Sequence, residues 1–343
     1  MQQKIHYILT IFAVYDKIIL YIIAKNQFLC SVYQRKGKGG FVMEERDAVV
    51  VAGYRLPKYS VLMSVYEKEL PENLNQSLES MLKQTYPPSD FVLVCDGKLT
   101  NALDVIVKSF QNEYKDIFRI VRIDENVGAG KAVNKGIKAC RYEYIVRMDS
   151  DDVSLRGRCL KEMLMFAMDK KLDIVGSYVE EFDDLTDKTL TLKKVPLMHD
   201  EIMNYSRRRN PFNRQTVAFR KSKALEIGGY SDLKLCEDYD FAVRMLAGGA
   251  KGQNIPEVLV RYRVSESTPE IRRSWRLTKG FVAVRWKLFT EGYIGLRDFF
   301  PPCFLQLILF ILPMRFTRWF YRKFLRDTKI TPPTAEVLGR EQK

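Results

Sequence analysis

Polar side chains follow four apolar runs of this sequence, at the point where each run ends. The candidate ligand-binding residues at these points are Ser64, Tyr66, Glu67, Asp96, Asn126, Gly128, Asp149 and Asp151. Each short motif alone is weak evidence, because acidic and glycine-containing turns are common in proteins. Four such points on consecutive runs indicate one shared site. The ring of Tyr66 and the carboxylate of Asp96 suit the binding of a base and a ribose.

Two aspartates spaced two positions apart, Asp149 and Asp151, are the candidate metal ligands. The sequence has only two histidines, His6 and His199, so a metal site here has to be built from carboxylates. Carboxylate oxygens suit Mg²⁺ or Mn²⁺, and such a cation can stabilise the charge of a departing pyrophosphate. We predict that Asp151 holds the cation, and that Asp149 assists and contacts the ligand that carries the pyrophosphate.

The elements that must position these residues alternate between strand and helix. Continuous apolar runs predict strands over residues 59–64, 91–95, 118–123 and 144–148. Helical spacing of apolar residues predicts helices over residues 70–82, 102–110, 129–139 and 155–170. This alternation with short connections is typical of an α/β fold with a doubly wound, mostly parallel sheet flanked by helices. Ligands bind outside the carboxyl ends of such strands, which is where the polar residues lie.

The net charge of +14 predicts a polyanionic partner. Nucleic acid, anionic lipid and a phosphorylated substrate all have the required chemistry. The basic residues concentrate between residues 261 and 329, among apolar and aromatic residues, while acidic residues concentrate between residues 149 and 200. A soluble basic patch around a nucleic-acid-binding motif is missing from this pattern. We therefore expect an anionic membrane surface as a partner, and no nucleic acid.

The two ends of the chain differ from the segment between them. Residues 1–57 are an apolar leader of uncertain status, because Asp16 and Lys17 interrupt its apolar run and translation starting at Met43 is an open alternative. Residues 58–262 form the predicted catalytic domain. Residues 263–343 are a predicted basic, amphipathic helical tail, in which an apolar run between Pro302 and Pro313 is too short to span a bilayer.

Seven segments follow one another in an order that is specific. They are Ser60-Val-Leu-Met-Ser-Val-Tyr66, Gln84-Thr-Tyr-Pro87, Val94-Cys-Asp-Gly97, Asn126-Val-Gly128 with Ala132, Asn134 and Gly136, Asp149-Ser-Asp151, Gly228-Gly-Tyr230 and Cys236-Glu-Asp-Tyr-Asp240. In this order they resemble glycosyltransferase family 2, the inverting family with the GT-A fold, and in particular its bacterial enzymes of surface polysaccharide synthesis. The resemblance covers about residues 58 to 262.

The resemblance implies metal-dependent, inverting transfer of a sugar from a nucleotide-sugar donor, with a UDP-sugar expected. It implies that Asp238 is the catalytic base, which takes a proton from the acceptor hydroxyl. The QxxRW signature of the processive synthases is not reproduced around Arg273-Ser-Trp275, which indicates transfer of a single sugar. Arg214 stands where the family often has histidine. We expect a lipid-linked or saccharide acceptor, surface polysaccharide or glycolipid as the product, and a location on the cytoplasmic side of the membrane.

Two other functions have some of the same features. A nucleotidyltransferase acting on sugar phosphates also uses acidic metal ligands on an α/β sheet, but its glycine-rich basic loop is missing after the first strand at Ser64-Val-Tyr-Glu67. A non-catalytic protein that binds membrane or nucleic acid would explain the charge alone. The intact carboxylates of Asp149, Asp151 and Asp238 argue against it.

Overall fold

The computed structural model describes residues 49–233, 235–264 and 274–312. Contacts divide the chain into one unit that ends at Pro57 and a second that begins at Lys58. In the first unit, the described residues form a short antiparallel pair of strands, β1 (Val50–Val51) and β2 (Tyr54–Arg55). The apolar leader predicted up to residue 42 and the basic stripe predicted between residues 315 and 326 lie outside the described residues.

The described part of the second unit contains one mixed sheet of nine strands. They are β3 (Tyr59–Val65), β4 (Asp90–Asp96), β5 (Phe118–Ile123), β6 (Tyr144–Asp149), β7 (Val153–Ser154), β8 (Leu172–Asp183), β9 (Thr189–Lys193), β10 (Ala218–Arg220) and β11 (Lys251–Val264). The spatial order is β5-β4-β3-β6-β10-β8-β11-β7, with β9 beside β8. The four strands predicted from the sequence form its parallel half, β5-β4-β3-β6, which confirms the predicted sheet.

The short strand β10 changes the direction of the sheet in its middle. It runs antiparallel to both β6 and β8, while β8 and β11 are parallel to each other. Strands β4, β3 and β6 are parallel to one another, so their carboxyl ends lie side by side at one edge. Ser64 of β3 is opposite Asp149 of β6, and Asp96 ends the neighbouring strand β4. The alternation of strand and helix thus brings three of the predicted polar ends together.

Helices cover this sheet. They are α1 (Pro71–Leu82), α2 (Asn101–Glu113), α3 (Ala129–Ala139), α4 (Arg158–Met168), α5 (His199–Ser206), α6 (Lys221–Glu226), α7 (Glu237–Ala247), α8 (Trp275–Thr290) and α9 (Leu296–Ile311). The first four confirm the helices predicted from apolar spacing. Their starts follow local chemistry: Pro71 occupies the first turn of α1, and the Thr100 hydroxyl accepts the N–H of Leu103 at the start of α2, at 3.3 Å.

The last two helices pack against α7. Their shared apolar cluster contains Cys236, Tyr239, Val243, Val284, Leu288, Ile294, Phe299 and Cys303. Pro302 lies inside α9 and has no N–H for the carbonyl of Asp298, and the buried guanidinium of Arg285 in α8 donates to that carbonyl instead. None of the helices in the described part of the chain combines the length with the apolar character that crossing a bilayer requires.

Close packing fixes α3 on the sheet at Gly136. A Cβ atom at this position would overlap Cδ1 of the buried Leu62 and lie 2.9 Å from Cγ2 of Val94. Neither neighbour has room to move, since both are fully buried in the core beneath the helix. The absence of a side chain at Gly136 therefore sets the distance between α3 and strands β3 and β4.

Substituting Gly136 by alanine tests this packing. We expect Gly136→Ala to lower the free energy of unfolding by about 1–3 kcal/mol, because the added methyl group forces β3 or α3 to shift. Urea unfolding followed by circular dichroism measures the change. Gly157→Ala is the matched control, because its Cβ would meet only the tip of Lys161 at 3.7 Å, and it should stay within about 1 kcal/mol of the wild type. Equal effects of the two substitutions would contradict the packing argument.

Candidate active site

Three carboxylates meet just beyond the end of β6. The ligand oxygens of Asp149, Asp151 and Asp152 all lie within 4.8 Å of one another. The hydroxyl of the buried Ser77 holds this turn by donating to the backbone carbonyls of Asp149, at 3.1 Å, and of Asp152. The backbone N–H of Arg263 donates to Asp152 Oδ1 at 2.9 Å. The two aspartates predicted as metal ligands are therefore brought together, with Asp152 as a third that the sequence analysis left out of the site.

These residues fit a divalent cation. Oδ2 of Asp152 is buried and has no hydrogen-bond partner among the described residues, which is costly for a carboxylate oxygen unless a ligand satisfies it. Burial raises the pKa of Asp151 to about 6, and the nearby charges of Asp149 and Glu69 add to the effect. Burial likewise raises the pKa of Asp152, followed by repulsion from Asp151 and Asp149. A cation between these groups would relieve the repulsion.

Asp149 and Asp238 are joined by two arginines, and these four residues are called the charge cluster below. Arg147 Nη2 lies 3.2 Å from Asp149 Oδ1, and Arg147 Nη1 forms an ion pair with Asp238 Oδ1. Arg214 Nε lies 3.2 Å from Asp149 Oδ2, and Arg214 Nη1 lies 3.7 Å from Asp238 Oδ2. The predicted metal ligand and the predicted base thus share both of their cationic partners.

The two arginines differ in their surroundings. The side chain of Arg147 is 5% exposed, and its guanidinium also lies over the ring of Tyr230, 5.3 Å from the centroid. The side chain of Arg214 is 41% exposed. Burial alone would raise the pKa of Asp149, but the charges of Arg214 and Arg147 outweigh it and hold that pKa below its ordinary value. Asp149 is therefore ionised and has an arginine on two sides, while its Oδ2 has no hydrogen-bond partner among the described residues.

Asp238 lies in the first turn of α7, and contacts with the turn before it and with α8 hold that helix. Carboxylates at a helix N-terminus are stabilised by the helix dipole, and Glu237 and Asp240 share this turn. The guanidinium of Arg244 bonds Asp240 at 2.7 Å and also donates to the carbonyls of Ile227, at 2.6 Å, and Gly229, at 2.5 Å. From α8, Lys287 lies 3.2 Å from Asp240. The position of Asp238 is thus set by contacts along the whole helix.

The turn at Gly228-Gly-Tyr230 connects α3 to this helix. The side-chain amide of Asn134 donates to the carbonyl of Tyr230 and accepts its backbone N–H, both at 2.7 Å. The ring of Tyr230 then stacks on Phe241 of α7, with centroids 4.1 Å apart. Gly229 adopts a positive φ of 72°, and a Cβ there would overlap the Asn134 carboxamide. Asn134 and the Gly228-Gly-Tyr230 motif, which lie far apart in the sequence, are therefore in direct contact.

Asp96 organises the loop that follows β5. Its Oδ1 accepts the N–H of Val127 at 2.8 Å and its Oδ2 accepts the N–H of Gly128 at 3.0 Å, while the Asn126 side chain donates to its carbonyl at 3.2 Å. Gly97 has a positive φ of 88°, and a Cβ there would approach Asn126 N to 3.0 Å. Asp96, Asn126 and Gly128 thus form one loop at the carboxyl edge, and both oxygens of Asp96 already have protein partners.

The residues predicted after β3 are open to solvent. Tyr66 and Glu67 are exposed, and Ser64 is partly buried beside Asp149. The hydroxyl of Tyr66 is close enough to Glu69 and Asp151 that, after burial itself, their charges raise its pKa. Glu69 in turn accepts a hydrogen bond from the Ser150 hydroxyl at 2.5 Å. The hydrogen bond between Ser150 and Glu69 therefore links this segment to the acidic turn.

The sequence analysis missed Arg147 and Asp152. Arg147 is a charged residue inside an otherwise apolar strand run, which is the one signal in the sequence that its side chain has a buried partner. Asp152 belongs to the same acidic motif as Asp149 and Asp151, but only its burial shows that it turns inward. Arg214 was singled out as a departure from a family pattern, and the structure places it on the charge cluster.

Removing Arg147 should destabilise the protein. Arg147→Met leaves two largely buried carboxylates facing each other with only the exposed Arg214 to balance them, and we expect a loss of about 3–5 kcal/mol in the free energy of unfolding. Urea unfolding in the presence of chelator measures it. Adding Asp238→Asn to this variant should restore part of the loss, since one of the two unbalanced charges is removed. Arg122→Met breaks an exposed ion pair with Asp104 and should cost less than about 1 kcal/mol. A loss of that small size for Arg147→Met would contradict the structural role.

Known proteins are similar to this chain in sequence and in fold. The family model for Glycosyl transferase family 2 matches residues 60–228. The chain is 34% identical over 272 residues to an Escherichia coli UDP-Gal:alpha-D-GlcNAc-diphosphoundecaprenol beta-1,3-galactosyltransferase, covering 79% of this chain and 97% of that protein. It is 33% identical over 268 residues to the amylovoran biosynthesis glycosyltransferase AmsE of Erwinia amylovora, covering 77% and 98%.

A solved structure shares the architecture. The mannosyltransferase PcManGT from Pyrobaculum calidifontis, in complex with GDP-Man and Mn²⁺, superimposes with a TM-score of 0.52 at 16% sequence identity, covering 89% of this chain and 80% of that chain. At this identity the likeness concerns the fold, which is the GT-A type expected from the motifs. With its sheet, its acidic turn after β6 and its close relatives, the chain is a glycosyltransferase and belongs to glycosyltransferase family 2.

Proposed function

We propose that this enzyme transfers a single sugar, with inversion, from a UDP-sugar to a sugar linked to lipid through a diphosphate, during synthesis of a surface polysaccharide or glycolipid. The observation that carries the proposal is the charge cluster. In it, Arg147 pairs with Asp149, where the acidic turn begins, and with Asp238 on α7. The names of the E. coli and Erwinia relatives supply the donor, the acceptor class and the product class. Neither alternative function has support from these relatives.

Asp238 is the base in this proposal. Its Oδ1 is held by Arg147, while its Oδ2 lies 3.7 Å from Arg214 and is the less committed oxygen. Oδ2 accepts the proton of the acceptor hydroxyl as the hydroxyl oxygen attacks the anomeric carbon of the donor sugar. The bond from that carbon to the UDP diphosphate breaks on the opposite face, so the configuration inverts. The ion pair with Arg147 holds the carboxylate of Asp238 in position.

The acidic turn serves the donor. Asp151, with Asp149 and Asp152, would hold a divalent cation, and family 2 enzymes of the GT-A fold generally use one; Mg²⁺ or Mn²⁺ would stabilise the charge of the departing diphosphate. The proposed donor-binding residues are Ser64, Tyr66, Glu67, Asp96, Asn126, Gly128 and Asp149. Tyr66 has an exposed ring on which the base can stack, and Asp96 shapes the loop that would face the ribose.

Two isosteric substitutions separate the donor role from the base role. Asp151→Asn should abolish transfer and weaken metal-dependent UDP binding at least tenfold, because a charged metal ligand is lost. Asp238→Asn should retain UDP binding and lose most turnover, because its interaction is needed only in the transition state. Calorimetry with UDP and Mn²⁺ measures binding, and radiolabelled transfer measures turnover. Asp116→Asn, at an exposed position on the chain surface, is the control and should change neither.

Proton NMR of the product tests the stereochemistry of the same reaction. An inverting enzyme converts the α-linked sugar of a UDP donor into a β-linked product. A product of retained configuration would contradict the single displacement at Asp238. Full activity of Asp151→Asn in excess chelator would contradict the metal site.

The second part of the proposal is that α9 and its neighbours contact an anionic membrane surface on the cytoplasmic side. One face of α9 packs on α7 and α8 through Phe299 and Cys303. The opposite face carries large apolar side chains at intervals of three and four residues, each 38% to 74% exposed: Leu296, Phe300, Phe304, Leu307 and Ile311. We call this face the apolar stripe.

Exposed basic residues lie on α9 and on two elements near it in the fold. Exposed basic residues occupy the segment after α5, the first turns of α8 and the start of α9: Arg207, Arg209, Arg276, Lys279 and Arg297. The segment after α5 is tied to α9 by the ion pair of Arg208 with Asp298, at 2.9 Å. An apolar stripe with basic residues on its own helix and on neighbouring elements suits the interface of anionic lipid, where each basic residue contributes about 1 kcal/mol. Because α9 packs on α7, such contact would bring the helix of Asp238 close to a lipid-linked acceptor.

Polar substitutions on the apolar stripe test the membrane contact. The full-length double variant Phe300→Ser, Phe304→Ser should bind vesicles of phosphatidylglycerol and phosphatidylcholine at least tenfold more weakly, since burial of each ring stabilises binding by about 1.5–3 kcal/mol. Vesicle cosedimentation measures binding, and added salt should weaken what remains. Val105→Ser with Leu185→Ser, two exposed apolar residues elsewhere, is the matched control and should bind as the wild type does. Unchanged binding of the first variant would contradict the proposal.

A further inference from the structure

Arg214 is the exposed corner of the charge cluster. It lies on a short 3₁₀ turn between α5 and β10, and its side chain is 41% exposed while those of Asp149 and Asp238 are 14% and 12% exposed. Its ion pairs are those with Asp149 at 3.2 Å and with Asp238 at 3.7 Å, and Tyr262 and Asp151 lie near enough to act on its charge. A guanidinium has five N–H donors in a planar fork, so it can bind oxygen atoms of a ligand in addition to these carboxylates.

The backbone that carries Arg214 is firmly anchored. Asn213 and Thr216, on either side, are fully buried. Asn213 Nδ2 donates to the carbonyl of Ser177 in β8 at 2.8 Å, and Thr216 Oγ1 accepts the N–H of Ser177 at 2.9 Å. The turn is therefore a rigid base from which only the long side chain of Arg214 extends. A charged side chain mounted in this way is preorganised to meet a ligand at one place.

Arg147 pairs with both carboxylates from inside the protein. It is buried, contacts both Asp149 and Asp238, and stacks on Tyr230, so it is bound on every side by protein. Arg214 is more exposed than Arg147, and its contact with Asp238 is the longer one, at 3.7 Å. A residue placed in this way can turn from Asp238 towards an incoming anion.

We propose that Arg214 binds the phosphate attached to the acceptor sugar, and so selects acceptors linked to lipid through a diphosphate; this rests on the function proposed above. The acceptor hydroxyl has to reach Asp238 Oδ2, and Arg214 Nη1 lies 3.7 Å from that oxygen. A phosphate on the anomeric carbon of the same sugar is one ring away from the hydroxyl, within the sweep of the arginine side chain. The planar fork matches two phosphate oxygens, as arginine does at other phosphate sites.

The donor also contains a diphosphate, and Arg214 contacts Asp149 on that side. The two sources differ in a measurable way. If Arg214 served the donor, its loss would slow transfer to every acceptor by the same factor. If it serves the acceptor, its loss slows transfer to a phosphorylated acceptor more than transfer to the same sugar without phosphate. The comparison between acceptors therefore cancels any general effect of Arg214 on Asp149 or Asp238.

The experiment uses the full chain, a panel of UDP-sugars with Mn²⁺, and two synthetic acceptors, undecyl α-D-GlcNAc-diphosphate and undecyl α-D-GlcNAc. The acceptor sugar is the one in the name of the E. coli relative. We expect the wild type to prefer the diphosphate acceptor in kcat/KM by about ten- to hundredfold, the size of a charge-assisted contact to phosphate. Arg214→Met should remove most of this preference. Arg214→Lys should keep part of it, because lysine retains the charge and loses the fork.

Lys83→Met is the matched control. It removes one positive charge from an exposed ion pair with Glu79 and should leave the preference unchanged. A preference that Arg214→Met leaves intact, or equal losses on both acceptors, would overturn the role of Arg214 and leave the proposed function standing. A wild type that uses both acceptors equally, or that transfers to neither from any of the UDP-sugars, would overturn the acceptor class itself and this inference with it.

Discussion

The buried guanidinium of Arg147 is the interaction on which the site depends. Two carboxylates that must stay ionised, Asp149 and Asp238, are almost removed from solvent, and their mutual repulsion would separate the elements that carry them. Arg147 forms an ion pair with each of them, and a buried ion pair of this kind is stable only when its remaining polar groups are satisfied. Its position two residues before Asp149 on β6 means that one strand supplies both a proposed metal ligand and the cation that holds the proposed base, Asp238.

Contacts from the surrounding fold hold Arg147 in place. The backbone carbonyl of Arg147 accepts a hydrogen bond from the buried Arg158 at 2.7 Å, and Arg158 is itself paired with Glu162, both side chains being fully buried. On the other side, the ring of Tyr230 covers the guanidinium and is held by Phe241 and Asn134. The family motif Gly228-Gly-Tyr230 thus acts through the position of the base, although none of its residues is proposed to contact substrate.

The helices after β11 extend the same support. Arg285 of α8 donates to the carbonyls of Arg207, at 3.0 Å, and Arg208, at 3.1 Å, and to that of Asp298, which Pro302 leaves without a helical partner. Lys287 reaches the buried Asp240, two residues after Asp238 in the same turn of α7. A segment that the sequence presents as a separate tail therefore packs against α7, the helix that carries Asp238. The same helices carry the apolar stripe, so stability of the site and contact with lipid would be supplied by one pair of helices.

The sequence alone determined the parallel half of the sheet, its helices and the carboxylates at the strand ends, because apolar periodicity and the residue that ends a strand are local properties of the chain. Only the tertiary structure decided the pairings. Arg147 and Asp238 are 91 positions apart, and Asp152 and Arg263 are 111 apart, and no local spacing specifies which buried charge meets which. The fold also decided that both oxygens of Asp96 bind their own loop and that α9 buries one face and exposes the other. Such choices follow from how distant segments close on each other, since a buried polar group takes the partner that packing brings within reach.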